Sequence, residues 1–316
     1  MNTAEINAKL VNNPCWLFQN NLKDSCHFPP KAEQFRIAVA LDDMKTVLIT
    51  GCSSGIGKAA ATLFAANCWN VVATLRSPER TELAAANNLM LTKLDVQDRE
   101  SIVRAIESGL ARFGRIDALI NNAGFSIGGV FESIPHEKIQ EQFAVNVFGA
   151  MDVARGLLPH FRKNQSGLII NISSRAGLVG LPLNTLYCAS KFALEGFSEA
   201  LAYELASQNI IVKLVEPSGG VSRTEFGKRL TEERAQSPPP AGYEEFIARA
   251  GAAYAAIATK RMTTANEVAQ VIYAAASDGT NRLRYFCGED TGDIVKARRE
   301  MSEETFSEFM RSRFVG

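Results

Sequence analysis

Thr46-Val47-Leu48-Ile49-Thr50-Gly51-Cys52-Ser53-Ser54-Gly55-Ile56-Gly57 decides the fold. Its first part is a short apolar run rich in β-branched residues, which reads as a strand. Three glycines follow, spaced GxxxGxG, and a helical pattern begins at Ile56. Glycine lets backbone turn tightly and approach a ligand closely. A helix that starts at once offers unpaired N–H groups and the positive end of its dipole. A strand, a glycine turn and a helix start in this order predict a dinucleotide site at Gly51, Ser53, Ser54, Gly55, Ile56 and Gly57.

Outward from this stretch the same unit repeats. Strands are expected at 46–50, 70–75, 89–94, 116–121, 167–173, 210–215 and 283–287. Helices are expected near 56–67, 79–87, 98–113, 136–164, 187–207 and 265–277. Runs such as Leu168-Ile169-Ile170-Asn171-Ile172 are continuously apolar rather than alternating, which suits strands covered on both faces. Alternating β and α units predict an α/β chain: one doubly wound Rossmann-type domain, a seven-stranded parallel sheet with helices on both faces. Ligands of such sheets bind at the carboxyl ends of the strands.

The residues at those ends have matching chemistry. Strand two ends in Leu75-Arg76, with no acidic residue to bond both ribose hydroxyls of NAD. The planar donor fork of Arg76, with the Ser54 hydroxyl nearby, suits a 2′-phosphate. NADP(H) is therefore the expected cofactor, with NAD(H) possible. In Leu94-Asp95-Val96, Asp95 is placed to accept from an adenine amino group, with Val96 beside it. Asn122-Ala123-Gly124 ends strand four and lets backbone approach the cofactor.

Tyr187-Cys188-Ala189-Ser190-Lys191 puts a phenol and an ammonium four residues apart at the start of a helical pattern, so both can share one face. A free phenol titrates near 10, and a fixed cation beside it favours phenolate. Such a pair can serve as an acid/base.

These motifs together resemble the short-chain dehydrogenase/reductase family, in its non-extended branch. They are the glycine loop, Asn121-Asn122-Ala123-Gly124, Asn146 within Val145-Asn146-Val147-Phe148-Gly149, Ser173-Ser174, and Tyr187-x-x-x-Lys191. The resemblance implies that Tyr187 is the catalytic acid/base and that Lys191 lowers its pKa and bonds the nicotinamide ribose. Ser174, thirteen residues before the tyrosine, would hold the substrate oxygen, and Asn146 would keep a water in a proton relay. Pro217 and Gly219 match the family's turn after strand six. Either Ser222 or Thr224 would contact the nicotinamide amide. The strings around Gly51, Arg76 and Tyr187 look like the hydroxysteroid and retinol dehydrogenase branch, which implies hydride transfer to or from an apolar alcohol or carbonyl substrate. A homodimer or homotetramer is the family's expectation. A non-catalytic NADP(H)-binding redox sensor is the alternative, and such proteins usually lose the tyrosine or the lysine.

An apolar substrate pocket is expected from Phe125, Ile127, Leu178, Val179 and Leu183. Residues 225–262, broken by Ser237-Pro238-Pro239-Pro240, read as a lid, with Phe226 and Tyr243 as candidate substrate contacts. Asp293 to Phe314 reads as a charged helix with a solvated face.

The chain has 316 residues, 46% hydrophobic and 22% charged, which is ordinary globular composition. Basic and acidic residues balance at 34 each, so no nucleic-acid footprint follows. No apolar run is long enough for a membrane span, and no secretory signal is visible. The six cysteines form no CxxC pair, so reduced thiols, no metal site and a cytoplasmic location are expected. The domain is expected over 44–316. Two readings fit residues 1–43: a flexible or non-native extension, or an ordered arm using Trp16, Leu17, Phe18 and Phe35.

Overall fold

The structure is a computed structural model that describes residues 44–218, 221–222, 225–258, 262–288 and 291–315. Residues 1–43, Gly219 and Thr224 lie outside these. Seven parallel strands carry it: β1 (Thr46–Ile49), β2 (Asn70–Leu75), β3 (Leu89–Lys93), β4 (Ala118–Asn121), β5 (Gly167–Ile172), β6 (Ile210–Pro217) and an edge strand (Arg284–Cys287). Their order across the sheet is β3-β2-β1-β4-β5-β6 and then the edge strand. The chain runs outward from β1 to β3, then returns past β1 to build the other half. β1 therefore lies between β2 and β4, with Ile49 opposite both Ala73 and Ile120. That reversal opens a crevice at the carboxyl ends of β1 and β4.

Helices cover both faces. On one face α1 (Gly55–Ala66) packs beside helix Ala265–Ser277. Val47, Ile49, Val71, Ala73, Phe64 and Ile272 are buried there. On the other face are α2 (Arg99–Phe113), the long helix that starts at His136 and ends at Asn164, and α5 (Thr185–Ala206), over Leu48, Val72, Leu119 and Ile169. The middle helix has two α-helical parts, α3 (His136–Phe143) and α4 (Ala150–Asn164), joined by a π-helical turn at Ala144–Gly149. Adjacent strand residues alternate between the two cores, and both cores are apolar. This explains the continuous apolar runs in the sequence.

Two expectations fail. Residues 79–87 make only a short 3₁₀ turn, Pro78–Arg80, followed by irregular chain. Leu83 alone is buried between Thr81 and Asn87, so a helix there would have no apolar face to pack. Asn88 Nδ2 then pins the chain to the carbonyls of Ala65 and Trp69. The C-terminal segment is two helices, Thr291–Glu300 and Glu303–Phe314. The second is capped by Ser302, whose hydroxyl accepts from Thr305 N at 3.3 Å. Ile294, Ala297 and Phe306 bury an inner face against Val179, while the glutamates stay exposed. Cys52, Cys188 and Cys287 are buried and not disulfide-bonded.

Between β6 and Ala265, the 225–262 segment forms α6 (Glu225–Gln236) and α7 (Glu244–Ala258), separated by the proline run. Among the described residues no helix is long and apolar enough to cross a membrane.

Candidate active site

The glycine turn after β1 is shaped by contacts that side chains would block. Gly51 has φ +74°, and a Cβ there would lie 2.9 Å from Ala123 Cα. A Cβ on Gly57 would lie 2.3 Å from the Gly51 carbonyl oxygen. Thr50 and Asn122 lock this turn to the end of β4. Asn122 Nδ2 donates to the carbonyls of Thr50 and Gly51 at 2.8 and 3.1 Å. The Thr50 hydroxyl accepts from the Asn122 and Ala123 amides at 2.9 and 3.0 Å. The first turn of α1 has no acidic residue and no side-chain cap from Ser54, so its amides are left for a ligand. A bare helix start behind a glycine cradle fits the pyrophosphate of a nicotinamide dinucleotide.

This turn borders a cavity of about 1080 Å³. Its walls include Gly51, Ser53, Ser54, Gly55, Ile56, Arg76, Asp95, Val96, Asn122, Ala123, Gly124, Ser174, Tyr187, Lys191 and Pro217. The structure thus gathers on one cavity nearly every residue singled out from the sequence. Gly57 is not in the wall, because it is buried in the first turn of α1 against the Gly51 carbonyl. Arg76 is exposed at its rim. Asp95 accepts from Gln97 N through Oδ1 at 3.0 Å.

At the other end of the cavity, Ser174 caps the 3₁₀ turn Arg175–Gly177, its hydroxyl accepting from Ala176 N at 3.2 Å. The Ser174 hydroxyl faces the same cavity as the Tyr187 phenol and acts to lower its pKa. Lys191, one turn along α5, is buried and donates from Nζ to the Ile172 carbonyl at 2.7 Å. Its Nζ lies 5.7 Å from the centre of the Tyr187 ring.

The electrostatics depart from the expectation of a phenol made acidic by its neighbour. Burial pushes the Tyr187 phenol up to about 12, opposed by the nearby Ser174 hydroxyl. Burial also draws Lys191 down to about 8, opposed by the charge of Glu195. Both shifts have one cause: an enclosed wall disfavours whichever form is charged.

Asn146 is not in the cavity wall. It is buried within the π-helical turn, where its Oδ1 accepts from Phe125 N at 3.0 Å and its Nδ2 donates to Phe125 O at 2.9 Å. The same Nδ2 donates to Ser190 Oγ at 3.2 Å, and Ser190 Oγ donates to the Tyr187 carbonyl at 2.8 Å. Asn146 thus ties the loop after β4 to the helix that carries Tyr187 and Lys191. A π-helical turn places the residue at an angle that regular helix would not allow.

The model of the short chain dehydrogenase family matches residues 45–235. The chain belongs to the short-chain dehydrogenase family. An uncharacterized oxidoreductase of Schizosaccharomyces pombe is 36% identical over 239 residues, 73% of this chain and 96% of that protein. The 3-ketodihydrosphingosine reductase of Bacteroides thetaiotaomicron is 41% identical over 188 residues, 60% of this chain and 66% of that protein. Human retinol dehydrogenase 8 is 40% identical over 198 residues, 60% of this chain and 62% of that protein. Among solved structures, a short-chain dehydrogenase from Streptomyces avermitilis covers 87% of this chain and 99% of its own, with TM-score 0.72 and 31% identity. The protein ElxO, solved with NADP bound, has TM-score 0.61 at 28% identity, over 77% of this chain and 97% of its own.

The substrate side of this dehydrogenase differs from the sequence expectation. Phe125 and Leu183 line the cavity, but Ile127 sits in a small core with Ile134 and Leu186. Leu178 and Val179 pack under the C-terminal helices. Tyr243 is outside the wall, its hydroxyl donating to Glu132 at 3.0 Å. The side chains of Phe226 and Ser222 are outside the described structure.

Sequence reasoning missed Leu181, Arg175, Arg229, Leu230, Arg234, Ile247 and Tyr254, which line the cavity from the turn after Ser174 and from α6 and α7. No motif marks them. Gln142 was missed as well. Four residues before Asn146 on the same helix face, it accepts from Ile127 N at 2.7 Å and donates to Phe125 O at 2.8 Å. The i, i+4 pair of buried amides was the available signal.

Proposed function

We propose that this short-chain dehydrogenase transfers hydride between NADP(H) and the carbonyl or carbinol carbon of an apolar substrate. The observation that carries the reading is the gathering of Ser174, Tyr187 and Lys191 in the wall of the same cavity that the bare start of α1 and its glycine turn border.

In this reading the α1 amides, Ser53, Ser54 and Arg76 hold the phosphates, and Asp95 and Val96 take the adenine. Asn122, Ala123, Gly124, Pro217 and Lys191 hold the nicotinamide half. The nicotinamide ring, when bound, supplies or takes up the hydride. Ser174 orients the substrate oxygen by a hydrogen bond, and Tyr187 gives its phenolic proton to that oxygen or removes one from it. Raised to about 12, the phenol keeps its proton at neutral pH and is ready to donate in the reductive direction. Lys191 would hold the ribose. Asn146 is a positioning residue that keeps the β4 loop in register with α5. The pair α6–α7 acts as the lid over the substrate. The NADP-bound ElxO structure supports the cofactor class, and Arg76 supports the preference for NADP(H) over NAD(H).

The test is Tyr187→Phe. With a panel of apolar aldehydes and ketones, NADPH oxidation is expected to fall by at least about 1000-fold, while NADPH binding, followed by fluorescence, stays within about twofold. Turnover equal to wild type in that variant would remove the mechanism.

A further inference from the structure

On the substrate side of the cavity, Arg229 and Arg234 differ in how their charge is met. Glu141 accepts from Lys138 at 3.2 Å and from Arg229 at 2.7 Å. Glu233 pairs with Lys138 at 3.0 Å and lies 3.6 Å from Arg229. Arg229 is further stacked on Phe125, 3.6 Å from the ring centre. Lys138, Glu141, Arg229 and Glu233 therefore form a closed set of two cations and two anions.

Arg234 stands outside that set. It is half-buried in the cavity wall, and its guanidinium donates to no described residue. Its Nε is fully enclosed without a hydrogen-bond partner. Burial disfavours its charge; the interaction opposing that is with Tyr254, and among the described residues no carboxylate joins it. It packs closely against the loop after β4 at Gly128, where a Cβ would lie 3.0 Å from Arg234 Nε and 2.6 Å from Leu230 Cδ1.

The neighbouring polar groups do not use it. The Tyr254 hydroxyl donates to Pro182 O at 2.7 Å and accepts from Asn184 Nδ2 at 3.0 Å. Arg175, buried in the same wall, and Arg234 both act electrostatically on that hydroxyl, so two guanidiniums face one region. Around them are the apolar side chains of Leu181, Leu183, Leu230 and Ile247.

We propose that Arg234 is a specificity-determining residue that binds an oxyanion, a carboxylate or a phosphate monoester, carried by an apolar substrate at a distance from its reacting carbonyl. The inference rests on the reductase reading above for its substrate site. A desolvated guanidinium with no internal counterion is costly alone and favourable when a ligand brings the anion. A neutral apolar alcohol would leave it unpaired, and a cationic head group would be repelled. The ligand is thus amphipathic: chain against the leucines, anion at Arg234.

The binding test compares dodecanoate, dodecyl phosphate and dodecan-1-ol by calorimetry, with and without saturating NADP⁺. The proteins are wild type, Arg234→Met and Arg234→Lys. One of the two anions is expected to bind about 10- to 100-fold tighter than the alcohol, and the stronger of them identifies the oxyanion. In Arg234→Met this advantage falls below about threefold with alcohol binding unchanged, and Arg234→Lys restores most of it. Arg234→Gln replaces the methionine variant if circular dichroism shows the latter unfolded. Equal affinity for anion and alcohol in wild type, or an unchanged ratio in both variants, overturns the proposal. So does a loss of NADPH binding in Arg234→Met, which would assign the guanidinium to the cofactor.

The turnover test compares the ω-oxo derivative of dodecanoate with its methyl ester. Equal kcat/KM for acid and ester overturns the oxyanion proposal and leaves the reductase reading intact. No reduction of either substrate by an NADPH-binding protein counts against the reductase reading, and the calorimetry still judges Arg234.

Discussion

Lys191 Nζ is hydrogen-bonded to the Ile172 carbonyl at 2.7 Å and stands 5.7 Å from the centre of the Tyr187 ring. The ammonium thus lies beneath the phenol, anchored to the end of β5. Its charge is buried, and a buried ammonium resists protonation.

That burial has a measurable consequence for stability. Lys191 is drawn down from 10.5 to about 8 by burial. Below about 8 both the folded and the unfolded chain carry the charge, and the fold bears the full cost of burying it. Between about 8 and 10.5 the unfolded chain binds more protons than the folded one, so stability rises with pH over this window. Lys191→Met removes the titration. Its melting temperature relative to wild type should be highest below pH 8, and the gap should narrow as pH rises through the window. A constant difference across that range would contradict the burial argument.

Gly57 and Gly180 form a matched pair. A Cβ at Gly57 meets the Gly51 carbonyl oxygen at 2.3 Å, a backbone atom that cannot step aside cheaply. A Cβ at Gly180 meets nothing within 4 Å. Gly57→Ala should destabilise by about 1–3 kcal/mol in urea unfolding and weaken NADPH binding, because the turn itself must move. Gly180→Ala should stay within about 0.5 kcal/mol of wild type.

Arg76 is the exposed cation at the end of β2, on the rim of the cavity. Arg76→Ala should lower kcat/KM with NADPH by about 10- to 100-fold, the scale of a lost charge-assisted phosphate contact, and leave the NADH value within about twofold. Parallel loss with both cofactors would show that Arg76 does not read the 2′-phosphate.

Lys213 and Asp278 make a second kind of test, remote from the cavity. Lys213 is buried in β6 and bonds Asp278 Oδ1 at 2.6 Å, with the Ala275 carbonyl at 2.7 Å and the Tyr285 hydroxyl at 3.1 Å. The Asp278 carboxyl is held well below its usual 3.8: burial would raise it, but the hydrogen bonds from Lys213, Tyr285 and Thr280 outweigh that effect. A depressed carboxyl stabilises the fold above its unfolded pKa, and the contribution is lost as pH falls below about 3.8. Asp278→Ala strands the Lys213 ammonium and should cost about 3 kcal/mol at neutral pH, with the difference from wild type shrinking in acid.

Local signals found the sheet and the cofactor half of the site. All seven strands appear where β-branched runs and turns mark them, and five of the six helices in the main alternation follow the apolar period. The exception, 79–87, lacks any apolar face beyond Leu83, so nothing in the fold holds a helix there. Arg76, Asp95 and Asn122 each sit directly after a strand, so sequence position alone carried them to one edge of the sheet. The substrate wall was hidden because it is assembled from α6, α7 and the turn after Ser174, which have no shared motif. Tyr243 and Tyr254 look alike in the sequence, yet only Tyr254 faces the cavity.

By itself the sequence determined the alternating parallel sheet, the glycine cradle and the spacing that puts Tyr187 and Lys191 on one helical face. These follow from periodicities and short-range sterics, which adjacent residues impose on one another. Only the tertiary structure decided that burial governs the Tyr187 phenol, that Asn146 reaches the Tyr187 backbone carbonyl through Ser190, and that Arg234 has no counterion among the described residues. Desolvation and charge balance depend on which distant segments close over a group, and no local pattern encodes that.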